Sequence, residues 1–226
     1  MKRETFKSVR ALCLAPVAAL YLVSASAQAQ TYPSEAPSAS MHEASKATAA
    51  VELRMAMRKL WEEHITYTRN YIISALAGLP DGDAIAQRLL SNQDDIGNAI
   101  KPYYGEAAGK KLSTLLRDHI VIATGVVKAA KAGDKTQLAD AQKKWSANGK
   151  EIAAFLSGAN PNWPKKTLEE MLQKHLDLTT GEVVGRLNKD WAADIKAYDD
   201  GHTHMLMFAD MLTDGVARQF PAKFKK

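Results

Sequence analysis

The chain has 226 residues, 46% of them hydrophobic and 24% charged, with a formal charge of +5 and a single cysteine. That is enough chain for one domain around an apolar core. One cysteine excludes an internal disulfide, and basic residues interleaved with acids exclude a dedicated nucleic-acid surface.

Residues 1–29 read as a secretory signal. Lys2, Arg3, Lys7 and Arg10 form a basic start, and Ala11 to Val23 is an apolar stretch broken by Pro16. Ala25-Ser26-Ala27 and Ala27-Gln28-Ala29 offer small-x-small cleavage patterns. The apolar stretch is shorter than a membrane span requires. The expected location is therefore periplasmic or extracellular, with no stable membrane span once the signal is removed. Cleavage takes away Cys13, four basic residues and one Glu, leaving a thiol-free chain of net charge +2. Residues 30–43, rich in Ser, Pro and Ala, read as a flexible leader.

From residue 44 to 220 the pattern is helical, and no run of alternating apolar residues reaches strand length. Six helices are expected. The first covers about Ser45 to Ala77 and stops at Gly78-Leu79-Pro80. The second starts near Asp83 and ends before Pro102. The third covers about Glu106 to Ala132, the fourth runs from Asp134 to Gly158, the fifth from about Pro164 to Asn188 and the sixth from about Asp190 to Gln219. Residues 221–226 form a basic tail. The fold class is all-α, an up-and-down helical bundle with a four-helix core and two flanking helices. Matches such as His64 with Asn148 and Gln93 with His175, 82–84 residues apart, suggest two related halves.

Polar residues fall on the apolar stripes. His64, His119, His175 and His202 lie on four different helices among Leu, Ile, Val and Met at spacings of three and four, so all four rings are expected to point inward. Asn92, Asp95, Asn148, Glu182, Asp194 and Asp199 lie on or beside similar faces. Imidazoles and carboxylates from facing helices suit a first-row transition metal such as Zn, Fe or Cu. The candidate ligands are His64, Asp95, His119, His175, Asp199 and His202, and Asp199-x-x-His202 has the i, i+3 spacing that lets two side chains share one ion. Met205, Met207 and Met211 near His202 and His204 raise copper in particular. The competing reading is a hydrogen-bonded polar seam, in which amides partner the histidines. Trp61, Trp145 and Trp191 are expected to close the bundle ends, and Pro102-Tyr103-Tyr104-Gly105 to form a turn with exposed aromatics.

No Gly-rich phosphate loop, no Gly-x-Ser-x-Gly and no His-Glu-x-x-His is present. The stretches LWEEHITYTRNYIISALAGLPD, RLLSNQDDIGNAIKPYYG, LLRDHIVIA and DWAADIKAYDDGHTHMLMFADML resemble an uncharacterised family of exported, all-helical bacterial proteins, some loosely labelled glycosyltransferase. The resemblance covers about residues 55–220 and implies no catalytic residues. The sequence thus points to an exported, non-catalytic bundle that binds a metal or small ligand. A structural or interaction module is the alternative, and a di-metal enzyme a more remote one. No protein partner is identified.

Overall fold

The structure, a computed structural model, describes the backbone of residues 38–224 and the side chains of residues 49–224. The expected signal, most of the leader, Lys225 and Lys226 lie outside the described residues. Five α-helices are formed: α1 Ser38–Ala77, α2 Gly82–Ala132, α3 Lys135–Ala159, α4 Lys165–Leu187 and α5 Trp191–Gln219. A 3-10 turn, Pro221–Phe224, follows and buries Phe224, while Pro221, Ala222 and Lys223 of the expected tail are exposed. Residues 38–43, expected in the leader, are helical. Among the described residues there is no strand, and the all-α helical bundle expected from the sequence is observed.

The helix ends follow local chemistry. Gly133 takes a left-handed φ of 69° and its N–H closes on the carbonyls of Ala129 and Ala130, the usual glycine solution to orphan carbonyls. Asp134 and Asp190 cap α3 and α5, accepting from the backbone N–H of Gln137 at 2.9 Å and of Ala193 at 3.0 Å. The expected second and third helices are the two halves of α2, divided at Gly105, where φ is 83° and ψ 170°, and the first half runs on through Pro102, past its expected end. The two halves then run side by side, with Arg117 Nη1 reaching Asp94 Oδ2 at 2.7 Å and the Leu90 carbonyl at 3.3 Å. A methyl on Gly97 would lie 2.6 Å from the Gly109 carbonyl and still closer to Ser113 Oγ. Only a residue without Cβ permits that approach.

Consecutive helices pack on one another and α5 returns to α1, closing the ring. The inner faces repeat. Trp61, His64, Ile65 and Ile72 of α1 correspond to Leu116, His119, Ile120 and Val127 of α2, 55 residues on. Another 56 residues on stand Leu172, His175, Leu176 and Val183 of α4. All twelve are buried. The helix that follows each stretch repeats as well, at intervals of 56: Asn92, Ile96, Gly97 and Ile100; Asn148, Ile152, Ala153 and Leu156; His204, Phe208, Ala209 and Leu212. The turns between these paired stretches each carry one left-handed residue, Gly78, Gly133 and Lys189, again 55 and 56 apart. The 82–84-residue spacing expected from the sequence instead matches residues in unlike places. His64 belongs to the first stretch of its pair and Asn148 to the second.

Candidate functional site

His64, His119 and His175 come together at one level of the core. The ring centroids of His64 and His175 are 5.5 Å apart, and those of His119 and His175 are 6.0 Å apart. The periodicity places them there: each lies on the buried stripe of its helix, one turn beyond Leu60, Leu115 or Met171. The carbonyls of those three residues receive side-chain donors from the neighbouring helix. Asn92 Nδ2 reaches Leu60 at 3.0 Å, Asn148 Nδ2 reaches Leu115 at 3.1 Å and His204 Nε2 reaches Met171 at 2.8 Å.

The three imidazoles differ in what they bond. His119 is closed on both sides. The Trp145 indole N–H, which can only donate, donates to His119 Nε2 at 3.0 Å, and His119 Nδ1 then donates to Asn148 Oδ1 at 2.7 Å. His64 Nδ1 lies 3.2 Å from Gln93 Nε2. The same amide nitrogen reaches the Leu89 carbonyl at 2.8 Å and Asn92 Oδ1 at 3.1 Å. His175 Nδ1 is buried with no partner. Burial, reinforced by the neighbouring His119, pushes His64 down to about 3. Burial also takes His119 down to about 4 and His175 well below the ordinary imidazole range. All three are neutral at physiological pH.

A cavity of ≈ 20 Å³ lies against His64, His175, Thr68, Thr179 and the aliphatic residues of α1, α2 and α4. The remaining sequence candidates are elsewhere. Asp95 and Asp199 are exposed, and His202 is half-exposed with Nε2 3.4 Å from Glu62 Oε1 on the surface. The expectation that His202 points inward is thereby corrected. α5 buries Gly201, Met205 and Phe208, and a one-residue step rotates a side chain about 100° off that stripe. The same step separates exposed Asp95 from buried Ile96. Among the described residues no three His, Cys, Asp or Glu side chains are arranged to hold a metal ion. Nor do the methionines gather, since Met205 is buried and Met207 is 59% exposed.

Glu182 and Asp194 answer to a second cluster. Asp194 receives Arg69 through both terminal guanidinium nitrogens, with Nη2 at 2.8 Å from Oδ2, and Arg186 Nη1 at 2.9 Å. Arg69 Nη1 also reaches Glu182 Oε2 at 3.1 Å. Burial lifts the Glu182 carboxyl to about 7 against the pull of Arg69. α1 is thereby tied to α4 and α5. Of the tryptophans, Trp61 and Trp145 are buried as expected, while Trp191 is exposed under the Arg186 guanidinium. Tyr103 and Tyr104 are not exposed either; they pack on Phe220, Phe224 and Trp163.

Sequence reasoning named the amides Asn148 and Gln93 without the ring each bonds, and passed over Trp145 and His204 in the ring cluster and Arg69 and Arg186 as partners of the acids. The 55–56-residue recurrence was the available signal for the first group. It aligns three histidines, then Asn92, Asn148 and His204. No helix among the described residues is long and apolar enough to cross a membrane. Comparison with known proteins finds no match to any family model, curated protein or solved structure.

Proposed function

We propose that this chain is an exported, non-catalytic helical module, six helical segments in three hairpins, in which histidines pin the two arms of each hairpin to one another through hydrogen bonds. The observation that carries this reading is His119, which spends one ring nitrogen on Trp145 and the other on Asn148. Neither lone pair nor N–H is left for a ligand there. His64 is similarly engaged by Gln93 at Nδ1. Such pins satisfy polar groups that would otherwise cost about 1–3 kcal/mol each when buried. They also fix which face of each helix turns inward, because an imidazole–amide bond tolerates little sliding. Export rests on the basic and apolar start of the chain and its small-x-small cleavage pattern. The family resemblance agrees with it.

A transition metal, Zn, Fe or Cu, held among the same rings is the second reading. It is favoured by the 5.5 and 6.0 Å ring separations, which bring three imidazoles near one another. The two readings part on metal analysis of protein purified from its native compartment, combined with thermal melts. The seam reading expects no stoichiometric metal and an unchanged Tm on adding chelator, Zn, Cu, Fe or Mn. It also expects Trp145→Phe, which strands His119 Nε2, to lower stability by about 1–3 kcal/mol. One equivalent of metal together with a Tm that falls on chelation would overturn it.

A further inference from the structure

We propose that the cavity among α1, α2 and α4 is a binding site for one small uncharged molecule that both donates and accepts hydrogen bonds, held by His64, His175 and Thr68. Comparing the three hairpins singles out this place. In the first, Gln93 occupies the inner histidine's Nδ1; in the second, Asn148 does. In the third the residue equivalent to Asn148 is His204, which gives its Nε2 to the Met171 carbonyl, and the residue equivalent to Gln93 is Met205, which carries no hydrogen-bond donor. His175, 3% exposed, is thus left with a free Nδ1. Thr68 Oγ1 is buried without a partner as well. Both residues line the cavity. Native interiors rarely leave such atoms empty-handed, and where they do a bound molecule is a standard reason.

The chemistry of the wall defines the guest. His64 Nδ1 is engaged by Gln93, and Nε2 lies on the other side of the ring, able to donate or accept according to tautomer. The Thr68 hydroxyl can give or take, and so can His175 Nδ1, depending on its tautomer. Apart from the neutral imidazoles, the lining carries no acidic or basic side chain. An ion would therefore lose its hydration without gaining a countercharge. A volume of ≈ 20 Å³ is slightly more than the 10–15 Å³ that one water needs. That suits one molecule little larger than water that carries a hydroxyl or amide. Thr124 and Thr180, both half-buried, lie on the same wall.

The test is a titration of the full chain, labelled with ¹⁵N at histidine, with methanol and with formamide. Long-range ¹H–¹⁵N correlation reads each ring nitrogen. Saturable shifts at His64 Nε2 and His175 Nδ1, with His202 unmoved, are the expected result. Thr68→Val, checked for helicity, should weaken the response about tenfold, the worth of one hydrogen bond. Shifts that grow linearly without saturating, with a slowly exchanging water seen next to His175, would mean a structural water only and would overturn the proposal. The hydrogen-bonded seam fails separately, if Zn(II) or Cu(I) binds at His175 and breaks the Trp145–His119 bond.

Discussion

Asp194→Ala should lower the folding stability of this protein by about 3–5 kcal/mol, the loss seen when one member of a buried ion cluster is removed. Asp194 is 1% exposed and holds two guanidiniums, Arg69 and Arg186. Their side chains are 14% and 20% exposed, so water reaches them poorly. With Asp194 gone, two cations face Glu182 alone, and Glu182 is itself a reluctant anion because burial lifts its carboxyl to about 7. Urea unfolding followed by circular dichroism measures the effect as a lower midpoint at unchanged slope. Asp194→Asn keeps the shape and part of the hydrogen bonding, so it should fall between alanine and the parent. A loss below about 1 kcal/mol for the alanine variant would place the cluster among solvated surface pairs.

Acid should unfold this protein earlier than a bundle of its size built without buried histidines. An unfolded histidine takes up a proton near 6.5, whereas folded His119 does so only at about 4 and folded His64 at about 3. Between those values the unfolded state binds more protons, so stability falls as the pH drops. For His119 alone the full loss, reached at pH 4, is about 3 kcal/mol at 1.36 kcal/mol per pH unit. His64 and His175 add to it. Glu182 acts in the opposite sense. Its folded carboxyl is raised, so its contribution is present below the unfolded value of 4.5 and is lost as the pH climbs towards about 7. Three histidines outweigh one glutamate, and the net slope points downward on acidification. Urea midpoints at several pH values from 7.5 to 4 test this, and a flat profile would refute it. Glu182→Gln should steepen the profile by removing the opposing slope.

What the sequence made legible was periodicity. Trp61, His64, Ile65 and Ile72 stand at helical spacing, and so do their counterparts in α2 and α4. The all-helical fold and three of the four inward histidines followed from this. His202 failed because its stripe is ambiguous by one residue. Gly201 and Met205 take the buried register and leave His202 at the flank. A glycine adds nothing to an apolar pattern, so its burial under close-packed helices could not be weighed. The reversal near Gly105 was legible too, but the helix before it runs on through Pro102, because the first half of α2 keeps its helical hydrogen bonds up to Gly105. The identity of hydrogen-bond partners was beyond reach for another reason. Trp145 reads as an ordinary core aromatic, and only the placement of α3 beside α2 turns its N–H towards His119. Arg69 lies in a polar stretch of α1, and its partners are more than 100 residues away.

That last separation has a kinetic meaning. The bonds from His64 to Gln93 and from His119 to Asn148 each span 29 residues, so they form within a local hairpin. Arg69 and Asp194 are 125 residues apart and meet only when the first and last hairpins close the ring. Local pairs are reached early and distant ones late. The cluster should therefore be absent from the folding transition state, and Asp194→Ala should act almost wholly by speeding unfolding. Stopped-flow chevrons would show a raised unfolding arm over an unmoved refolding arm. Arg69 and Asp194 would then act as a latch that sets the lifetime of the closed ring and leaves the speed of its assembly unchanged.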